Sequence, residues 1–267
     1  MVALLLSCLG AVQVGAGAWS QRPGHCFARL SGVFYESDEF YNETGKRTPA
    51  GMNNESFDAG QVFLYLECGL RDRLTLIGKL AMGRLVAEDD FMKQATTGIG
   101  DLEAGIKYQL IDRPLVVAPL VMIKMPTGYD ESDPAMGTGY RDFEMRLLAA
   151  RSFYPAPVYV GAEAGFRFRD GPYSNQLPLF AEVGATPHPR LFAKIYAEGT
   201  NTLTAREETT GEVGGLQVSE GDFVKAGLNL AFQVGGPLWA DVLWERIVDG
   251  ENVGAGGSWG LGLVYTY

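Results

Sequence analysis

The chain reads as an all-β transmembrane antiparallel barrel, an up-and-down closed sheet of about twelve strands. Three observations carry that reading. Stretches in which apolar and polar residues alternate strictly recur along the whole length. Hydrophobic residues make up 46% of the 267 positions, yet mean hydropathy is zero and no apolar run is long enough for a membrane-spanning helix. The final segment, residues 257–267, puts Trp259, Leu261, Leu263, Tyr265 and Tyr267 on one face and Ser258, Gly260, Gly262 and Thr266 on the other. A strand with lipid on one side and a watery lumen on the other needs that pattern.

Taken in order, residues 2–14 are apolar and are followed by Ala16-Gly17-Ala18. This reads as a secretory leader cut before Trp19, although its first residues carry no Lys or Arg. Residues 1–18 are therefore expected to be a signal peptide and residues 19–267 one barrel domain. Short turns are expected at residues 71–73, 112–114, 154–157, 187–190 and 235–237. Long polar connections are expected at 36–56, 87–99, 127–140, 170–176, 201–221 and 249–256. Tight periplasmic turns alternating with long outer loops put both termini on the periplasmic side.

Aromatic residues cluster at both strand ends, as they do at the two membrane interfaces. Tyr108, Phe153, Tyr154, Phe192, Phe232, Trp239, Tyr265 and Tyr267 lie by the short turns, and Phe34, Phe143, Phe168, Trp244 and Trp259 lie toward the long loops. Pro119 and Pro178 fall inside strands, where each removes a ladder donor, so irregular pairing or a bulge is expected there.

Folding each hairpin about its short turn tests the inward face, because opposed residues should match in charge. Asp142 then faces Arg169, Glu144 faces Arg167, Glu182 faces Lys194, Asp101 faces Lys124, and Lys225 lies near Glu245. Further inward charges are the acids Glu67, Glu103, Glu163, Glu198 and Asp241 and the bases Lys79, Lys107 and Arg146. These eighteen residues are the candidate lumen lining. They either select solutes or brace and fill a modest barrel. Bulky inward residues such as Phe63, Tyr65, Tyr159, Phe180 and Tyr196 are either an aromatic-friendly lining or filler.

Cys26 opens the first strand and Cys68 closes the second, opposite each other on the outward face. Either they form a cross-strand disulfide or they remain two lipid-facing thiols.

The formal net charge of −10 argues against nucleic-acid binding. Much of it sits in the long loops, at Asp38, Glu39, Glu43, Glu88, Asp89, Asp90, Asp130, Glu131, Asp133, Glu207, Glu208 and Glu220. The only histidines, His25 and His188, are expected at the periplasmic rim, and no Cys/His cluster has zinc-ligand spacing. No enzyme activity, cofactor or metal is expected.

Two stretches, Thr97-Gly98-Ile99-Gly100-Asp101-Leu102-Glu103-Ala104-Gly105-Ile106-Lys107-Tyr108 and Lys124-Met125-Pro126-Thr127-Gly128-Tyr129 followed by Gly137-Thr138-Gly139-Tyr140-Arg141-Asp142-Phe143, resemble the outer-membrane barrel family labelled for a role in the meta-pathway of phenol degradation. The terminal aromatic strand is similar to the signal read by the barrel assembly machinery. The resemblance implies passage of small aromatic or hydrophobic compounds and identifies no binding residues. By themselves the two stretches look like architecture at the outer mouth, Gly98 and Gly100 letting a loop turn sharply into a strand. Two functions fit: a passive outer-membrane channel or uptake protein whose solute is undetermined, and a structural or adhesive barrel with a closed lumen. Outer-membrane lipid is the partner in both.

Overall fold

The computed structural model describes residues 17–51, 53–129, 134–203 and 221–267. Its strands are β1 (Cys26–Ser37), β2 (Glu39–Tyr41), β3 (Arg47–Pro49), β4 (Ser56–Arg71), β5 (Leu74–Glu88), β6 (Lys93–Tyr108), β7 (Val116–Met125), β8 (Asp142–Ser152), β9 (Val158–Arg169), β10 (Gln176–His188), β11 (Leu191–Thr202), β12 (Asp222–Gly235), β13 (Leu238–Glu251), β14 (Val253–Gly254) and β15 (Gly257–Thr266). Twelve of them close into one antiparallel barrel in the order β1-β15-β13-β12-β11-β10-β9-β8-β7-β6-β5-β4, with β1 also pairing β4. A small sheet, β14-β2-β3, stands at the long-loop end and ties the first long connection to the last.

Closure follows from the terminal strand. β15 pairs β1 from Phe27↔Thr266 to Glu36↔Gly257, so the backbone groups of that seam are satisfied where hydrocarbon would leave them orphaned. The outward face of β15 exposes Trp259, Leu261, Leu263 and Tyr265, and Ser258 and Val264 are buried inside. Leu30, Leu76, Ile106, Leu147, Ile195 and Val242 are likewise exposed on other strands. Such a continuous apolar exterior calls for lipid rather than water.

Tyr108, Phe153, Tyr154, Phe232, Tyr265 and Tyr267 lie on the exposed surface at the short-turn end, and Phe34, Phe143, Phe168, Trp244 and Trp259 at the long-loop end. Phe34 stacks on Trp259 with centroids 4.7 Å apart. Phe192 and Trp239 correct the expectation. Both point inward and pack with Phe27, Tyr159, Ala231 and Val264, because their parity follows Lys194 and Asp241 along β11 and β13 rather than the lipid-facing rows.

Other differences concern boundaries. The long connection expected at 87–99 is mostly strand: β5 and β6 pair up to Glu88↔Lys93, and Asp89 caps the tip by accepting from the amides of Phe91 and Met92. At Pro178 the β9–β10 ladder skips from Gln176↔Arg167 to Leu179↔Ala164 without changing register. At Pro119 the β6–β7 ladder stops at Lys107↔Leu120, one residue short of the proline. Irregular pairing thus occurs at both prolines, and neither produces a bulge.

Candidate functional site

Inward positions of the strands line a cavity of about 480 Å³. One wall, from β1 and β4, presents Phe27, Arg29, Ser31, Val33, Gln61, Phe63 and Tyr65; the facing walls present Lys124, Asp142, Glu144, Arg146, Arg167 and Arg169, and Glu198, Lys225 and Glu245. Acids and bases therefore surround most of the lumen, and the β1–β4 side is richer in aromatic and neutral residues, with Arg29 its one charge among those lining the cavity.

Every candidate lumen residue lies in an ion pair. Lys79 meets Glu103 at 3.1 Å, and Lys107 meets Glu67 at 3.1 Å. Lys124 bridges Asp101 (3.3 Å) and Asp142 (2.8 Å), and Arg169 approaches Asp142 at 3.7 Å. Arg146 joins Glu144 and Glu163, and Arg167 joins Glu144 at 2.6 Å. Lys194 holds Glu182 at 3.0 Å, and Lys225 holds Glu198 (3.1 Å) and Glu245 (3.3 Å). Asp241 pairs with Arg29 at 2.6 Å. Interleaved acids and bases of this kind leave little net field, so electrostatic steering through the cavity is weak.

The register differs from simple hairpin folding at two places. Glu144↔Arg167 and Asp142↔Arg169 are directly opposed. Glu182 instead stands opposite Tyr196, with Lys194 opposite Gly184, and Lys124 stands opposite Glu103 rather than Asp101. Both offsets are two residues, so the side chains keep their face and meet diagonally. The causes are the bulge between Ala185 and His188 in the β10–β11 hairpin and the longer connection between Tyr108 and Val116.

Arg29 was not among the lumen residues read from sequence. Its partner Asp241 lies two strands away across β15, a distance that hairpin folding does not search. Contact is possible because Gly262 stands between them: a Cβ there would lie 2.2 Å from Asp241 Oδ1. Gly184 does the same for the Tyr159 ring, which would come within 2.2 Å of an added Cβ. Asn229 completes the Arg29 site, donating to Asp241 at 2.6 Å.

Two segments reach into the lumen along paths that no strand pattern announces. At the short-turn end, residues 17–21 run into the barrel, and Arg22 is exposed. Ala18, 2% exposed, packs with Ile77, Val116, Ala118, Leu120, Met122, Leu148 and Ala150. Trp19 meets Tyr159 edge-on at 5.5 Å. Ser20 N donates to Gln109, and Gln21 N donates to Thr75. Lys107, 0% exposed, donates to Gly17 O at 2.6 Å and to Glu67 at 3.1 Å.

At the long-loop end, the connection after β7 folds inward. Met136 is buried with Tyr35, Phe57, Ala59 and Leu85, and packs over Gly98 and Gly100. The two glycines thus lie within β6 and make room for this loop, a different role from the sharp turn expected of them. Thr127 Oγ1 donates to the carbonyls of Ile99 and Gly100, where β6 outruns β7. Tyr129 OH donates to Asp101 at 2.6 Å and accepts from Gly139 N at 2.8 Å, while Lys124 donates to Thr138 at 3.0 Å. Burial, reinforced by the Asp101 hydrogen bond, holds the Tyr129 phenol above its ordinary pKa.

Cys26 and Cys68 are opposed in the β1–β4 ladder and joined as a disulfide with Cα atoms 4.2 Å apart. They fasten the chain where residues 17–25 pass into the barrel wall. Of the acidic loop residues, Glu39 pairs with Arg47 and Glu88 with Lys93, and Asp90 accepts from Asn54. Asp130, Glu131, Asp133, Glu207, Glu208 and Glu220 lie outside the described residues, as do residues 1–16 of the expected leader. His188 accepts from the Arg190 amide in a short turn, and His25 packs near Tyr267 at the same end.

An apolar exterior with two aromatic girdles, a closed antiparallel wall and an ion-paired interior define a bacterial outer-membrane β-barrel. Solved structures of that class share the fold. The COG4313 outer membrane channel from Pseudomonas putida F1 superposes with a TM-score of 0.74 at 14% identity, covering 96% of this chain and 100% of that one. The NanC porin gives 0.56 at 8% identity over 89% of this chain and 98% of its own, and the KdgM porin 0.55 at 7% over 90% and 99%. No protein-family model and no curated protein matches the sequence, and none of these structures bears the phenol-degradation label; the likeness shown is to outer-membrane channel and porin barrels.

Proposed function

We propose that the protein is a passive outer-membrane channel or uptake protein for small organic solutes, aromatic or hydrophobic in body, with its short turns and both termini in the periplasm. The observation that carries this is the cavity: about 480 Å³ of open space persists in the middle of the barrel although segments reach into both ends. A barrel serving only as a scaffold could pack that space with side chains. A solute resting there meets Phe63, Tyr65 and Val33 on one side and paired charges on the other, which suits a flat apolar body with a polar edge.

Passage runs past both of these segments and draws on no cofactor or energy source. The presence of a segment at each end favours a second reading, a structural or adhesive barrel whose working surface is its outer loops. Planar-bilayer recording separates the two. Reproducible conductance steps, with liposome swelling faster for aromatic acids than for sugars of equal mass, support the channel. Silence from the intact protein and from a form lacking residues 17–21 would leave the structural reading standing.

A further inference from the structure

We infer that the outward face running from β13 through β15, β1 and β4 to β5 binds a phosphorylated glycolipid of the outer leaflet, with Arg84 and Arg246 holding its phosphates and Trp244, Trp259 and Phe34 carrying its sugar rings. The inference rests on the orientation proposed above, with the long loops outside, and is independent of what the channel carries. Trp244, Trp259, Phe34, Gly60 and Arg84 stand directly opposite one another, strand by strand, from β13 round to β5. All three rings are exposed, and Gly60 leaves a flat step between Phe34 and Arg84. Arg246 follows Trp244 on the same face of β13, opposite Gly257.

Toward the long loops the outward side chains run Val242, Trp244, Arg246 along β13 and Leu80, Met82, Arg84 along β5. Hydrocarbon, interface and phosphate succeed one another in the same order across a leaflet of anionic lipid. Both arginines are exposed, and among the described residues neither has an ion pair or a side-chain hydrogen bond. The lumenal Arg29, Arg146, Arg167 and Arg169, by contrast, each have a carboxylate. A guanidinium that faces lipid without a carboxylate is matched by an oxyanion, and its fork fits two phosphate oxygens. Glu36 and Asp58 lie outward between the arginines, on β1 and β4. They repel a bare phosphate but share a divalent cation with it, since hard cations take both kinds of oxygen. Rigid sugar rings make more simultaneous contacts with adjacent aromatic faces than a mobile glycerol headgroup does, which favours a glycolipid over a phospholipid.

Native mass spectrometry of the detergent-solubilised protein, given equal amounts of diphosphoryl lipid A and its dephosphorylated form with magnesium present, reads the preference directly. Charge-assisted contacts from two arginines should favour the phosphorylated lipid by about tenfold or more. The variant carrying both Arg84→Gln and Arg246→Gln should lose most of that preference. Arg151→Gln, which removes an outward arginine at the short-turn end, should keep it. Equal capture of the two lipids by the parent, an unchanged preference in the double variant, or an equal loss in Arg151→Gln would overturn the site. So would displacement of bound lipid A by an equal concentration of phosphatidylglycerol. A separate arm tests the orientation: Phe91→Cys, at the exposed β5–β6 tip, should react with a membrane-impermeant maleimide on intact cells. Absence of labelling would overturn the outer-leaflet assignment through the orientation, a failure distinct from loss of the lipid preference.

Discussion

At the short-turn end residues 17–21 reach into the lumen and lie on a dry floor of Ile77, Ala118, Leu120 and Leu148 around one buried ion pair, Lys107–Glu67. At the long-loop end it is covered by the connection after β7, which rests on Met136 and is held by hydrogen bonds from Tyr129 and Lys124 within reach of water. The inner segment concentrates its charge in a single pair that has no solvent to fall back on, with neutral hydrogen bonds from Ser20 and Gln21 beside it. The wet cover spreads its polar energy over several exchangeable contacts. One end is thus built as a fixed floor, and the other as the end more easily displaced.

The largest effect should come from breaking the pair in the floor. Lys107→Met leaves the buried Glu67 carboxylate without its cation, with only the Tyr65 hydroxyl and the Gln21 amide donating to it, and by analogy with broken buried pairs should cost about 3–5 kcal/mol. Urea unfolding in lipid vesicles would measure it. Adding Glu67→Leu should restore most of that loss, since the pair as a unit contributes little. A single-variant cost below about 1 kcal/mol, the range of exposed pairs, would erase the distinction between the two ends.

Releasing the outer cover should have a smaller effect on stability and a larger one on conductance. Tyr129→Phe loses the bond to Asp101 and the one from Gly139, about 1–2 kcal/mol of loop closure. More frequent or longer openings are expected in single-channel traces, with the unfolding midpoint nearly unchanged. Equal openings in parent and variant would mean that this loop does not cover the path.

The smallest effect should come from the middle of the lumen. Lys79 and Glu103 are both about one-third exposed on their side chains (38% and 33%), so Lys79→Gln should change stability by less than about 1 kcal/mol. Removing one cation from the cavity should shift the reversal potential in a salt gradient toward cation preference. A shift toward anions would show that the lining does not set the field along the path.

How much of this was legible beforehand depended on distance along the chain. The alternation in residues 257–267 or in β9 needs only its own residues, because side-chain direction in a strand has a period of two and lipid enforces it. The Asp142–Arg169 and Glu144–Arg167 contacts were legible for the same reason, since a tight turn sets the register of its own hairpin. Longer or bulged connections shifted that register by two residues at Glu182 and Lys124, which altered the partner but not the face. Phe192 and Trp239 were misread because proximity to a turn was weighed above parity.

By itself, then, the amino-acid order determined the barrel strands, the closed wall, which charged side chains look inward, and the opposition of Cys26 and Cys68. Each of these follows from local periodicity, or from antiparallel neighbours folded about a loop between them. Only the tertiary structure decided that residues 17–21 turn back into the lumen, that Met136 and Tyr129 cover the far mouth, and that Arg29 reaches Asp241 across Gly262. Those contacts join segments with no shared period or turn, and they exist because the closed barrel offers a cavity that short irregular segments can bury themselves in.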